Sequence, residues 1–555
     1  MICLSSTAGS PDGALRQLRR DAAHLDLFEL RADFFAELQS EGSNQHRGEA
    51  GDGEVGADLA GAVNWGRRLS ELAAEARSDW RALRPEAAAL GIILTIRRAA
   101  DGGRYQGDEG FRLLVLEKAL RSGGFDYLDL EEDLLGSDAE RSVVAAASSA
   151  GATIIRSYHA PDGISAELPH RAARAATREN EIPKLAVHAD GSAAFLRIIE
   201  AGEALQSVRR IVIAMGPYGV AGRILAPRLG SFLTYCSSDD GRQAAPGHLT
   251  PEVLAGMYRY HELTERTAVF AVIGDPVLHS RSPEFHNPVF RSQKLDAVYL
   301  PLQLDDLSAL PALADRLGLQ GVSITIPHKS GVRRLLSNAE PAVEAIAACN
   351  TAIRGPEDAW YGYNTDLHGF LAPLAEFFGG AEGAQHAPAA QETRGPDLTG
   401  VRCTVIGAGG AARAVVYGLL LYGADVLILN RTVARAEALA AELGEQLETV
   451  PPRCAALEPA ADALVREYRD LLVQTTSIGM EPEVEADPLP FYEFCGSEVA
   501  YDIVYTPPET TWLRRARRAG CRVIGGNAMF EGQARAQSAL FLTRINELHQ
   551  HGAGQ

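Results

Sequence analysis

Val405-Ile406-Gly407-Ala408-Gly409-Gly410-Ala411-Ala412-Arg413-Ala414 joins a short β-branched run to a glycine turn and then to the opening of an alanine-rich segment. The pattern is G-x-G-x-x-A. The first glycine permits a tight turn, the second lets backbone approach a pyrophosphate, and the small Ala412 lets helix and strand pack closely, with phosphate at the helix N-terminus. Alone, such a turn is weak evidence; it needs a βαβ context. The residues that follow supply one: a helical run through Leu421, a stop at Gly423, and a second strand at Ala424-Asp425-Val426-Leu427-Ile428-Leu429. At the end of that strand stand Asn430-Arg431-Thr432, with Arg435 one turn on. An NAD site usually carries Asp or Glu there for the ribose 2′-hydroxyl, whereas an arginine favours the 2′-phosphate of NADP. The expected cofactor is therefore NADP(H). Gly407, Ala408, Gly409, Gly410 and Ala411 would hold its phosphates, and Asn430, Arg431, Thr432 and Arg435 its adenosine end.

Working outward, the chain of 555 residues is too long for one core and predicts three or four structural units at about 150 residues each. A hydrophobic content of 46% with 23% charged residues is that of a soluble globular protein. No apolar run is long enough for a bilayer. The net charge of -19 argues against a nucleic-acid partner, which requires clustered Lys and Arg. Seven scattered cysteines with no C-x-x-C pair suggest neither disulfides nor a metal site and fit a reducing cytoplasm. Met1-Ile2-Cys3-Leu4 reads as a first strand, with no signal peptide.

From residue 1 to about 250, short apolar runs alternate with helical segments: Leu25-Leu30, Gly91-Ile96, Tyr127-Leu130, Thr153-Arg156, Lys184-His188 and Arg210-Met215. Repeated β and α units over this length predict a (β/α)8 barrel with catalytic groups at the strand ends. Residues 40 to 61, rich in Gly, Glu, Asp, Gln and Asn, read as a solvated insertion. Glu29 and Arg31 flank Leu30 and point to one side of a strand, the expected barrel mouth. Arg97, His159, Lys184 and Arg223 stand at further strand ends. A lone Lys is ordinarily solvated and a lone His ordinarily structural. As a set they suit one chemistry. A desolvated lysine near arginines can attack a ketone to form a Schiff base, and a near-neutral histidine can move the adjacent proton and protonate a departing hydroxide.

These residues, in Glu29-Leu30-Arg31-Ala32-Asp33, Thr95-Ile96-Arg97, Ser157-Tyr158-His159, Ile182-Pro183-Lys184-Leu185-Ala186-Val187 and Met215-Gly216 with Arg223, make residues 1–250 resemble type I 3-dehydroquinate dehydratase. The resemblance implies Lys184 as the imine-forming residue, His159 as general acid/base and Glu29 as an orienting group. Arg31, Arg97, Arg223 and His248 would bind substrate, Arg223 taking the carboxylate with its guanidinium fork. Asp101 stands where the family usually has Glu, and Ala244-Ala245-Pro246-Gly247-His248 replaces Ser-Ala-Pro-Gly-Gln. The Ser, Asp, Gly and Pro of residues 236–248 suggest a lid.

Pro251-Glu262 reads as a connecting helix within 251–266, N-capped by Thr250. Val269-Pro276 and Gly321-Pro327 then read as buried strands stopped by proline. Polar groups follow at His279-Ser280-Arg281-Ser282-Pro283, His328-Lys329, Asn350-Thr351 and Asn364-Thr365-Asp366. Singly, each is better explained as turn chemistry. Together with the glycine turn, Thr325-Ile326-Pro327-His328-Lys329, Thr476-Ser477-Ile478-Gly479-Met480, Tyr501-Asp502-Ile503-Val504-Tyr505 and Met529-Phe530-Glu531-Gly532-Gln533, they make residues 267–550 resemble shikimate dehydrogenase. By that resemblance Ser280, Ser282, Thr325, Asn350, Tyr505 and Gln533 bind substrate, Lys329 and Asp366 handle the proton, and Met529 joins the cofactor site. Gln474-Thr475 departs from the family's frequent Asn-Ala, and Gly525-Gly526-Asn527 is a further small departure.

The organisation implied is α/β throughout: a barrel at 1–250, a connection at 251–266, a substrate-binding lobe at 267–375, a linker-like insertion at 376–398, a Rossmann NADP-binding domain at 399–525, and C-terminal helices at 526–555 returning to the lobe. The two resemblances imply consecutive reactions, dehydration of 3-dehydroquinate to 3-dehydroshikimate and its reduction by NADPH to shikimate. Two other readings stand beside this one. An NAD-linked quinate/shikimate dehydrogenase of catabolism is disfavoured by Arg431, and a regulatory ligand-binding protein with an inactive barrel is disfavoured by Lys184 and His159. Oligomeric state and passage of intermediate between sites are not written in the sequence.

Overall fold

Apolar runs separated by Ala-, Leu- and Arg-rich stretches become eight parallel strands with helices between them. They are β1 (Ile2–Ser5), β2 (Leu27–Arg31), β3 (Gly91–Thr95), β4 (Tyr127–Glu131), β5 (Thr153–Ala160), β6 (Glu181–His188), β7 (Ile211–Met215) and β8 (Thr234–Cys236). The computed structural model describes residues 1–43, 52–178, 180–238, 249–379 and 395–552. The strand order is β7-β6-β5-β4-β3-β2-β1-β8. The remaining gap is bridged by a parallel pairing of Arg210 with Ser231, where the Phe232 N–H donates to the Arg210 carbonyl at 2.7 Å. The expected barrel is present. Leu27, Ile93, Ile155 and Ile182 belong to one buried cluster with Cys3, Ile211 and Leu233. The same two-residue period puts Glu29, Thr95, Ser157, His159 and Lys184 on the same side, further toward the strands' C-terminal ends. An apolar layer thus closes one end of the barrel, and charged groups occupy the other.

Two sequence expectations are corrected. Residues 40–61 are not wholly an irregular insertion, because helices span Ala36–Ser43 and Asp52–Leu83. The Gly and Asp content is outweighed by the later run containing Trp65, Leu69, Leu72 and Trp80, which are buried. The connecting segment is not one helix either. It has a wide turn at Val253–Met257, a break at Arg259 with φ 49°, and a 3-10 turn at Tyr260–Glu262. Thr250 does cap its start, accepting from the Val253 N–H at 3.2 Å. Of the segment 236–248, only the first three residues lie within the described residues.

The chain divides into two compact units, Met1–Leu319 and Gln320–Gln555. The first unit contains the barrel together with β9 (Ala268–Gly274) and β10 (Ala297–Gln303), a parallel pair in register over seven residues. Polar contacts tie this pair's surroundings to the barrel. Asp305 accepts from the Ser192 N–H at 2.9 Å, Tyr218 donates to Asp275 at 3.1 Å, and Arg316 pairs with Glu200 at 3.0 Å.

The second unit begins within β11 (Leu319–Ile324), followed by β12 (Asn338–Ala339), β13 (Thr351–Arg354) and β14 (Trp360–Tyr363), with β13 antiparallel to both β11 and β14. After the helix Thr365–Phe378 comes a parallel sheet of β15 (Arg402–Ile406), β16 (Asp425–Asn430), β17 (Arg453–Ala456), β18 (Leu471–Gln474), β19 (Val499–Asp502) and β20 (Arg522–Ile524). Its order, β17-β16-β15-β18-β19-β20, is the doubly wound dinucleotide-binding order, with the switch point between β15 and β18. Alternation gives each face its own core. Val405, Ile428, Val473 and Tyr501 pack on one side, and Ile406, Leu427, Leu429, Leu472 and Trp512 on the other. The long helix Gly526–Gly552 crosses Thr365–Phe378 where Gly369 meets Gly532. A Cβ on Gly369 would lie 2.5 Å from the Met529 carbonyl, so the crossing requires glycine. No described helix is long and apolar enough to cross a membrane.

Candidate active sites

In the barrel, Lys184 projects from β6 and is 2% exposed. Its Nζ lies 2.7 Å from Asp129 Oδ2 on β4 and 3.3 Å from the Tyr235 hydroxyl on β8, and sits 4.6 Å from the centroid of the Tyr235 ring. Asp129 also accepts from Ser157 at 2.6 Å and from Arg97 at 3.0 Å. Glu29 accepts from the Ser5 hydroxyl, from Thr95 at 2.9 Å and from Arg97 at 3.5 Å. Two carboxylates, one lysine and one arginine therefore share a buried network. Burial lowers the Lys184 pKa, Asp129 opposes the fall, and Arg97 adds to it. Burial would raise both carboxylates, but Lys184 and Arg97 hold Asp129 and Glu29 below the ordinary range.

His159 and Arg223 are among the barrel groups whose buried nitrogens have no hydrogen-bond partner among the described residues. Both ring nitrogens of His159 are buried with no hydrogen bond, and burial, then Arg97 and Lys184, push its pKa well below the usual value. Both nitrogens are therefore open to a hydrogen bond or a proton from a ligand. Arg223, from the short helix Val220–Ile224, has an unpartnered Nε and no carboxylate partner among the described residues. By contrast Arg31 is clamped by Asp33 at 2.8 and 2.7 Å, and Arg97 is neutralised by Asp129 and Glu29. Asp101 is held by Arg98 at 2.7 Å. Ala244 and His248 lie outside the described residues. Asp129 and Tyr235 were not singled out from sequence. Asp129 had a signal, being an acid between two leucines of a buried parallel strand; Tyr235, in a three-residue strand, had none.

In the other half, Ser280 and Ser282 belong to the first unit and hydrogen-bond to one another at 3.1 Å. The remaining expected residues belong to the second unit. Lys329 Nζ and Asp366 Oδ2 meet at 2.6 Å, both partly exposed. Asn350 is committed to structure at its carbonyl oxygen, which accepts from the Thr365 N–H at 2.7 Å, while its amide donates to the Thr365 hydroxyl at 2.9 Å. Thr325 is half-buried beside the exposed Ile326. Gln533 lies at the helix crossing with its backbone against Gly369. Gln537, one turn on, is the structural glutamine, buried and bonded to Ser323 and Thr351, each at 3.0 Å. Tyr505 is half exposed, its ring 6.0 Å from Phe530, and Met529 packs against the Rossmann core.

The glycine turn lies at the end of β15. Gly407 has φ 112°, and a Cβ there would meet Thr475 at 2.7 Å, so glycine is required by the fold. Gly409 and Gly410 differ, since a Cβ on either would meet nothing within 4 Å. Their open side, at the N-terminus of the helix Gly410–Leu421 with Ala411 in its first turn, is space of the kind a pyrophosphate fills. Ala408 is half-buried between them and the strand. Asn430 donates to the Thr432 carbonyl at 2.8 Å, shaping the turn into the next helix. Arg431 and Arg435 are exposed and have no ion-pair partner among the described residues. The donor set fits a dinucleotide with an extra phosphate on its ribose. Gln474 bonds the Thr476 N–H and hydroxyl and the Ile478 carbonyl, so this departure stiffens its own loop.

Fold and sites together define an enzyme with a lysine-centred barrel and a separate dinucleotide-binding half. The type I 3-dehydroquinase family model matches residues 2–265, the shikimate dehydrogenase substrate binding domain 272–352, and shikimate / quinate 5-dehydrogenase 389–462. A curated relative from Arabidopsis thaliana, "Bifunctional 3-dehydroquinate dehydratase/shikimate dehydrogenase, chloroplastic", is 32% identical over 454 residues, covering 81% of this chain and 73% of its own. "Shikimate dehydrogenase (NADP(+))" from Moorella thermoacetica is 38% identical over 284 residues, 50% of this chain and 89% of its own. A solved structure of dehydroquinate dehydratase and shikimate dehydrogenase from S. pombe AroM aligns over 99% of this chain and 97% of its own, at 22% identity and a TM-score of 0.40. The chain belongs to the family of bifunctional 3-dehydroquinate dehydratase/shikimate dehydrogenases.

Proposed function

We propose that the chain carries out two consecutive steps, with the residues described above in defined roles. It dehydrates 3-dehydroquinate and reduces the resulting 3-dehydroshikimate to shikimate with NADPH, a lyase and an oxidoreductase of the shikimate pathway. The observation that carries the first step is a buried lysine beside a histidine with two vacant ring nitrogens. Lys184 gives one proton to His159 and, as the neutral amine, attacks the ketone; His159 returns that proton to the departing oxygen, water leaves, and the iminium formed has its positive charge against Asp129. His159 removes the proton from the adjacent carbon, and the electron pair drives out the β-hydroxyl, which His159 protonates as it leaves as water. Hydrolysis frees Lys184. Arg223 takes the substrate carboxylate, and Glu29, fixed by Thr95 and Arg97, orients the site. Arg31 and Arg97 contribute field more than a free fork, being already paired.

In the second half, the bound NADPH supplies a hydride to the ketone. Lys329, held by Asp366, delivers the proton to the ketone oxygen. Ser280 and Ser282 bind the carboxylate. Thr325, Asn350, Tyr505 and Gln533 surround the ring. Arg431 and Arg435 select NADP over NAD through the 2′-phosphate. Seven free thiols fit a reducing compartment, and we place the enzyme in the cytoplasm. A coupled assay from 3-dehydroquinate and NADPH tests the whole reading. Oxidation of NADPH with formation of shikimate is expected, and no oxidation by folded protein, with 3-dehydroquinate unconsumed, overturns it.

A further inference from the structure

The Tyr235 hydroxyl is within reach of the Lys184 amine, and its ring lies over the same nitrogen. Lys184 is the donor in that contact, which leaves the phenol's own hydrogen without an acceptor among the described residues. A half-buried phenol O–H beside the lysine, with no acceptor among the described residues, is a donor open to an oxygen that arrives with a ligand. Asp129 occupies the other side of the same nitrogen at 2.7 Å. The substrate carbon must therefore approach Nζ through the direction these two groups leave open. When the N–C bond forms, the carbonyl oxygen becomes geminal to the nitrogen, within hydrogen-bond reach of a hydroxyl 3.3 Å from that nitrogen.

We propose that Tyr235 is the donor that receives the substrate's carbonyl oxygen during imine formation at Lys184. The proposal rests on the reading of Lys184 as the imine-forming residue. In the addition step the nitrogen lone pair forms the N–C bond, the carbonyl π pair moves to oxygen, and the proton lost by nitrogen ends on that oxygen. Tyr235 donates a hydrogen bond to the oxygen throughout and keeps its own proton. The carbinolamine hydroxyl then leaves as water as the C=N bond forms, protonated by His159 with the proton that Lys184 gave up to become the attacking amine. Burial and the neighbouring Glu29 push the Tyr235 pKa well up, which suits a donor that is not consumed. The iminium carries a single N–H, which goes to the charged Asp129, so the tyrosine is released from lysine as the product imine forms.

The test uses the full chain with Tyr235→Phe, which keeps the ring over the ammonium. Single-turnover mixing with 3-dehydroquinate, quenched with borohydride, reads the mass adduct on Lys184 against time. The expected result is a rate constant for adduct formation lower on the order of 10²-fold, with 3-dehydroshikimate reduction unchanged. 3-Fluorotyrosine at position 235, which keeps the hydroxyl, should restore the rate to near that of the parent protein. An adduct forming in the phenylalanine variant within about twofold of the parent rate removes the tyrosine role while leaving Lys184 in place. Absence of any adduct in the parent removes both. If the phenylalanine variant misfolds, as shown by its far-UV circular dichroism, the fluorotyrosine protein decides: it keeps the hydroxyl, so an adduct rate more than about tenfold below that of the parent overturns the proposal.

Discussion

Asp129→Asn removes the counter-charge that Lys184 shares with Arg97, which keeps Glu29. Lys184 and Asp129 meet at 2.7 Å with 2% and 1% of their side chains exposed. At an effective dielectric of about 20, two unit charges at that separation attract by about 6 kcal/mol. Part of that is lost to solvation of the pair, and deleting one member of a buried pair costs about 3–5 kcal/mol. Asparagine keeps an oxygen for the Ser157 hydroxyl, now 2.6 Å from Asp129, and turns an amide toward Nζ. A neutral amine accepts from that amide, whereas an ammonium cannot. Lys184 should therefore give up its proton more readily, by about two to four pKa units at about 1.4 kcal/mol each. The sign follows from the role of the carboxylate: it favours the charged lysine, so its loss moves the protonation midpoint down. Adduct formation on Lys184 with 3-dehydroquinate and borohydride, followed across pH, should keep its activity to lower pH by that amount. Steady-state dehydration should nevertheless fall on the order of 10²-fold, because the iminium loses its counter-ion. An acid limb that stays in place or moves to higher pH refutes the assignment of Asp129 as the group that sets the lysine's charge.

Lys184→Ala should abolish dehydration and spare 3-dehydroshikimate reduction, while Lys329→Ala should lower reduction by about 10²–10⁴-fold and spare dehydration; loss of both activities from either change in folded protein contradicts two independent sites. Arg431→Ala should raise KM for NADPH about tenfold to a hundredfold, the worth of a charge-assisted hydrogen bond, and leave NADH kinetics in place; equal effects on the two cofactors refute a 2′-phosphate contact. Burial pushes the Asp502 carboxyl up to about 6, against the opposing pull of hydrogen bonds from the Thr510 hydroxyl and the Val504 N–H. A carboxyl raised by about two units above its unfolded value of 3.8 stabilises the fold below pH 4 and loses about 3 kcal/mol of that as pH rises to about 6. Urea midpoints of Asp502→Asn should lack this fall between pH 4 and 6, and an unchanged slope contradicts the assignment.

The parts of the fold that were legible in sequence are those where one physical rule acts alone. Buried parallel strands need continuous apolar runs, so β2 to β7 could be read from Leu25-Leu30 onward, and the turn after β15 could be read because Gly407 must take a positive φ. The strand β8 is three residues long and carries no period, and the helix Asp52–Leu83 begins in residues whose composition reads as solvent-loving. The sites divide in the same way. Lys184, His159 and Arg223 could be placed at strand ends, but a sequence does not say which charges are already spent. Arg112 and Arg156 are wholly buried and are spent on ion pairs with Glu109, Glu131, Glu140 and Glu181 and on backbone carbonyls. Nothing in their immediate sequence separates them from Arg223, which has no such partner among the described residues. Gln533 and Gln537 pose the same problem one helical turn apart, and only the second is consumed by Ser323 and Thr351. Partnership is a property of three dimensions. The residues with chemistry left to do are those left without it among the described residues: His159 with two vacant nitrogens, Arg223 without a carboxylate, Arg431 without an anion, and Tyr235 with a hydrogen that awaits an oxygen.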